Sequence, residues 1–163
     1  MEALAPYRVA MERPDDKWDD LAYLTSDDNR SQGALDIQLD IGIASETRRQ
    51  QGQPTHVLCT TSYRHAYWTL AQMVTHHTVN GCNLQPGDLL GTGTLSGPEA
   101  TQAGALIELT QGGKLPVALP DGSQRTFLQD GDEVVMRGWC QRDGAARIGF
   151  GECRATVLPA MSI

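Results

Sequence analysis

The run Leu84-Gln85-Pro86-Gly87-Asp88-Leu89-Leu90-Gly91-Thr92-Gly93-Thr94-Leu95-Ser96-Gly97-Pro98-Glu99 constrains the fold of this chain most. So dense an ordering of turn formers and hydroxyls is seldom needed for packing alone, and it confines the segment to turn, strand and loop. Pro86-Gly87 fits a tight turn, with proline's fixed φ first and glycine's freedom second. A strand is expected to follow and to pass into the Ser96-Gly97-Pro98 loop at Thr94. Gly91 and Gly93 leave the backbone there open to close approach by a ligand, and a threonine hydroxyl can orient a carboxylate or carbonyl oxygen. The plain alternative is that Thr94 and Ser96 only stabilise a tight turn through side-chain hydrogen bonds.

Around this run the pattern is mostly that of short strands. Residues 34–44 alternate, with Leu35, Ile37, Leu39, Ile41 and Ile43 on one face and Asp36, Gln38 and Asp40 on the other, as a half-buried strand does. A second strand is expected over residues 56–60. From about Ser62 to Thr78 the spacing turns helical, with Ala66, Leu70, Met73, Val74 and His77 on one stripe. Thr61 or Ser62 can cap the first amides, and Asn80-Gly81 supplies a left-handed stop. Further on, residues 105–109 alternate, Asp121-Gly122 reads as a two-residue hairpin, and Asp130-Gly131-Asp132 turns into a strand at residues 134–136. Residues 147–157 form the last strand. The expected class is mainly β with one principal α-helix, an α+β sandwich or roll in a single unit over 1–163. Residues 11–33, with Pro14 and clustered aspartates, read as an irregular acidic loop that Trp18 pins to the body.

Charge and cysteines exclude several functions. A formal net charge of −7 and a pI near 4.9 leave no basic footprint for a nucleic-acid backbone. Cys59, Cys82, Cys140 and Cys153 lack the close pairing of a zinc site or redox dithiol, so free thiols and a reducing, cytoplasmic setting are expected. Glu2, Pro6 and Arg8 stand where a signal peptide needs an apolar core, and no stretch is long enough to span a bilayer. His76-His77 invites a metal reading, but adjacent helical residues point about 100° apart and cannot easily chelate one ion. One of them is expected to face the core, while a histidine near a helix C-terminus is favoured by the dipole.

The Pro86-Gly87-Asp88 turn with Thr92-Gly93-Thr94 resembles the fumarylacetoacetate hydrolase superfamily. The ending Leu95-Ser96-Gly97-Pro98-Glu99 and the segment Tyr67-Trp68-Thr69 narrow the likeness to its fumarylacetoacetase family. Thr75-His76-His77-Thr78-Val79-Asn80-Gly81-Cys82-Asn83 upstream, and Phe127 to Val135, Arg147 to Cys153 and Val157 to Ala160 downstream, are similar to the same family in the same order. The matched stretch corresponds to the C-terminal part of the family's catalytic domain.

That resemblance implies hydrolysis of a carbon–carbon bond in 4-fumarylacetoacetate, giving fumarate and acetoacetate in tyrosine and phenylalanine breakdown. It implies that Thr94 binds substrate and that Glu108 holds the tautomer of a catalytic histidine. It also implies a homodimer, and a calcium or magnesium ion that polarises the substrate carbonyl. In the family the acidic metal ligands, the histidine base and a positioning lysine precede the matched segment. This chain is therefore expected to hold no metal and to be inactive alone. By itself, a glutamate in the 105–109 strand is more often an outward-facing residue. Two other readings compete: another β-diketone or acylpyruvate hydrolase of the superfamily, and a non-enzymatic scaffold or dimerisation domain of the same fold.

Overall fold

A computed structural model describes residues 2–12 and 19–161. A 3-10 helix, Glu2–Tyr7, leads into β1 (Arg8–Val9). The acidic stretch is more ordered than its charge suggests: Asp19–Leu24 forms 3-10 turns and α1 (Asp27–Gln32) a short helix. Ser26 caps α1, its hydroxyl accepting from the Asn29 amide at 3.2 Å, and Asp27 and Asp28 fall in the first turn, where the helix dipole favours acids. Pro14, Asp15, Asp16 and Trp18 lie outside the described residues.

The strand expected over 34–44 is two strands. β2 (Ala34–Leu35) pairs with β1, whereas β3 (Gln38–Ala44) enters the main sheet. The break at residues 36–37 has a local cause: the Asp36 amide donates to the Tyr7 carbonyl at 2.9 Å, and the Ile37 carbonyl accepts from the Tyr63 amide at 2.8 Å. Ser45 ends β3 by capping α2 (Glu46–Gln50), and β4 (His56–Ser62) returns antiparallel to β3.

The long helix expected over 62–78 is interrupted. Ser62 caps only a 3-10 turn, Tyr63–His65, after which the backbone is extended at Ala66. The principal helix, α3 (Leu70–Thr78), starts at a capping box: the Thr69 hydroxyl accepts from the Gln72 amide at 3.2 Å, and the Gln72 side chain accepts from the Thr69 amide at 3.1 Å. This Thr-x-x-Gln signature is legible in the sequence. The expected stop holds, with Gly81 at φ +88 and its amide on the Thr78 carbonyl.

After a long loop come α4 (Leu106–Leu109), β5 (Val117–Ala118), β6 (Gln124–Arg125), β7 (Glu133–Cys140) and β8 (Ile148–Thr156). The hairpin at Asp121-Gly122 has a three-residue loop rather than two: the Leu119 amide donates to the Ser123 carbonyl, closing Pro120-Asp121-Gly122 with Gly122 at φ +82. Proline at the first loop position suits this turn, and glycine takes its left-handed end.

The main sheet runs β4-β3-β7-β8, antiparallel throughout. Strand and helix occupy comparable shares, an α+β arrangement with one principal helix and no closed barrel among the described residues. Ile43, Cys59, Val135 and Cys140 are buried at the sheet, and Tyr7 is buried with its hydroxyl donating to the Ala146 carbonyl beyond β7. A register shift between Arg137 and Trp139, opposite the left-handed Gly151, bulges β8, which twists that edge strand away from flat pairing. None of the described helices is long and apolar enough to cross a membrane.

Candidate functional site

Pro86-Gly87 makes the expected turn. The Asp88 amide donates to the Gln85 carbonyl at 3.1 Å, the Asp88 carboxylate accepts from the Gln85 amide at 2.8 Å, and Gly87 sits at φ +102. The strand expected after it does not form. Residues 89–97 carry no ladder, and Leu89 is 96% exposed. A strand exists through its partner's hydrogen bonds, and no described strand lies alongside this segment.

Thr94 is exposed. Its loop folds onto the residues that precede α4. Gly104 lies so close that a side-chain carbon there would stand 2.2 Å from the Leu95 carbonyl oxygen and 3.0 Å from the Thr94 methyl. Ser96 joins the two segments: its hydroxyl accepts from the Gly104 amide at 3.0 Å and donates to Glu108 Oε2 at 2.6 Å. A 3-10 turn, Ala100–Gln102, closes the loop between them, with the Gly97 amide on the Gln102 carbonyl at 3.0 Å.

Glu108 does not lie on a strand. Ala105 is extended, but residues 106–109 form one helical turn, the Leu109 amide donating to the Ala105 carbonyl at 3.2 Å. Leu106 and Leu109, three apart, face an apolar cavity of about 190 Å³ whose far wall includes Ile41, Ile43, Cys59 and Leu128. Ile107 and Glu108 consequently point outward, and Glu108 is exposed. The alternating pattern read as a strand is a single turn that directs two half-buried leucines toward the cavity. The field of the carboxylate reaches the cavity: burial chiefly raises the Cys59 thiol above its ordinary value, and the negative charges of Asp40 and Glu108 add to this.

Sequence reasoning selects Thr94 and Glu108 but gives Ser96 only a turn-stabilising part. No spacing rule connects a serine to a carboxylate 12 residues on; the contact comes from the loop folding back. With Oε2 fixed by Ser96, the Glu108 carboxylate keeps a free edge that can accept a hydrogen bond from an imidazole N–H or another donor. No described histidine contacts it. Among the described residues no group of three or more His, Cys, Asp or Glu comes together as metal ligands.

His76 and His77 diverge as adjacent helical residues must, but both are exposed, against the expectation that one faces the core. His76 Nδ1 hydrogen-bonds the Tyr23 hydroxyl at 2.7 Å, and His77 Nε2 lies 3.2 Å from Cys82 Sγ.

Residues 22–158 match the family model for the C-terminal domain of fumarylacetoacetate hydrolase. Over 99% of its length the chain is 46% identical to a fumarylacetoacetase of Bos taurus and 44% identical to one of Homo sapiens; over 98% it is 48% identical to one of Caenorhabditis elegans. It spans 36% of the length of each of these relatives. The turn at Pro86-Gly87, the Thr94 loop and the Glu108 turn all fall within the matched region, and the chain belongs to the fumarylacetoacetate hydrolase family.

Proposed function

We propose that this chain contributes part of the active site of a fumarylacetoacetase, which hydrolyses 4-fumarylacetoacetate to fumarate and acetoacetate. Water adds to the carbonyl carbon, the adjacent carbon–carbon bond breaks, and its electron pair leaves on acetoacetate as an enolate that then takes up a proton. In this reading the Thr94 hydroxyl orients a substrate oxygen. Glu108 accepts the N–H of an imidazole, stabilising the imidazolium that forms as water is deprotonated, and Ser96 holds that carboxylate in place. The observation that carries the reading is the Ser96 bridge, which ties the loop of Thr94 to the turn of Glu108 through 3.0 and 2.6 Å hydrogen bonds.

The same reading places the assembled protein in aromatic amino-acid breakdown as a cytoplasmic homodimer. Its free thiols suit a reducing compartment. The family's divalent cation would be held by residues other than those described.

A chimaera in which this chain replaces the matching 36% of the bovine relative tests the proposal. Turnover of 4-fumarylacetoacetate with calcium or magnesium present is the expected result. A folded chimaera that does not hydrolyse it would count against the reading.

A further inference from the structure

We propose that Cys82 and His77 form a thiol–imidazole couple that makes Cys82 the preferred site of covalent modification by soft electrophiles such as electron-poor conjugated alkenes. A backbone turn brings the pair together. α3 ends at Thr78 with Val79 as its C-cap; the Asn80 side chain accepts from the Cys82 amide at 3.2 Å, and Gly81 turns the chain at φ +88. The chain therefore doubles back, placing Cys82 Sγ 3.2 Å from His77 Nε2. Both side chains are exposed, so a reagent reaches them directly.

Two features of the surroundings favour the reaction. His77 Nε2, 3.2 Å from the sulfur, is placed to take the thiol proton as a general base. His77 also lines an apolar cavity of about 380 Å³ together with Trp68, Met73, His76, Leu90 and Gly91, which gives an apolar reagent a place to rest beside the couple. In the step itself, His77 Nε2 takes the Sγ proton. The sulfur pair forms the bond to the β-carbon, the alkene π pair moves to the α-carbon, and that carbon takes a proton from the imidazolium or water. No oxidant or reductant is needed.

The chain contains its own controls. Cys59 and Cys140 are buried, and burial raises both thiols above their ordinary value. Cys153 is exposed on β8, and its thiol has no hydrogen-bond partner among the described residues. The test is N-ethylmaleimide labelling of the full chain, with the rate at each cysteine read by peptide mass spectrometry from pH 5 to 9, for the native protein and His77→Gln. Cys82 is expected to react at least about tenfold faster than Cys153 near neutral pH. Its profile should show an imidazole inflection that Cys153 lacks, and His77→Gln should remove both differences. Equal rates at the two cysteines, or a Cys82 rate untouched by His77→Gln, would overturn the proposal. If the variant unfolds, labelling of Cys59 and Cys140 reveals it, and the native pH profile alone then decides: no inflection at Cys82 refutes the couple.

Discussion

Replacing Asp132 with asparagine should be among the most damaging conservative changes in the molecule. Asp132 is 1% exposed and Arg125, its partner, 8%. The guanidinium grips the carboxylate at both oxygens, Nε to Oδ2 at 2.7 Å and Nη2 to Oδ1 at 2.8 Å, and Oδ2 also accepts from the Gln129 amide at 2.9 Å. Hydrogen bonding to Asp132 raises the Arg125 guanidinium above its ordinary value against the opposing effect of burial. The substituted carboxamide would keep the shape but leave a positive charge buried and unpaired, a situation that costs about 3–5 kcal/mol. For a domain of this size, each kcal/mol lowers Tm by about 2–4 °C, so Asp132→Asn should melt about 6–20 °C below the native chain. Circular dichroism through thermal and urea unfolding reads this directly. The double variant Arg125→Met, Asp132→Leu removes both charges and should be less damaging than Asp132→Asn alone, although it leaves the Gln129 amide without its acceptor. A loss under about 1 kcal/mol in Asp132→Asn, or a double variant worse than the single, would show that the pair is not the buried, mutually dependent unit described. The site feels the change as well, because Leu128 next to Gln129 lines the cavity beneath α4.

Other consequences can be checked with similar assays. Asp121 takes hydrogen bonds from the Ser123 hydroxyl, the Ser45 hydroxyl and the Ser123 amide, which hold its carboxyl far below the ordinary value of 3.8. Because the folded value is depressed, this stabilisation is present above pH 3.8 and lost as pH falls below it. Urea midpoints of Asp121→Asn should therefore lie below those of the native chain at pH 6 and converge with them in acid. Thr69→Ala breaks the capping box of α3 and its bond to Asn29, and should cost about 1–2 kcal/mol in urea unfolding. Gly104→Ala forces a carbon to within 2.2 Å of the Leu95 carbonyl, so the two segments must part; a stability loss of about 1–3 kcal/mol and altered NMR shifts at Thr94 and Ser96 are expected.

How legible each element is in the sequence depends on how local its determinant is. Turns set by one or two residues are plain: Pro86-Gly87, Asn80-Gly81 and Asp130-Gly131-Asp132 all appear, the last with the Asp132 amide on the Gln129 carbonyl at 3.0 Å. The strands of the main sheet fall within a few residues of their expected places, bounded by local turn and cap residues such as Ser45 and Asp130-Gly131-Asp132. Elements that depend on a distant partner are where expectation and structure part. Leu89 to Leu95 has strand-like residues but no described neighbour to pair with, and Ala34 to Ala44 divides because Tyr7 and Tyr63 claim its backbone. In α4 two leucines spaced by three satisfy one helical turn as readily as a strand, and only the cavity decides between them. The site follows the same rule: Thr94 and Glu108 are identified by family likeness, while Ser96 acquires its connecting part only when the loop folds.

The proposed role of Glu108, held by Ser96, lies in the chemistry rather than in the stability of the loop. It is tested most directly by the turnover number of the chimaera bearing Glu108→Gln, measured against the unmodified chimaera with 4-fumarylacetoacetate. A fall in kcat of at least about 100-fold is expected, with KM and Tm little changed, since glutamine keeps the hydrogen bond to Ser96 but not the charge that stabilises an imidazolium. An unchanged kcat in a folded protein would contradict it.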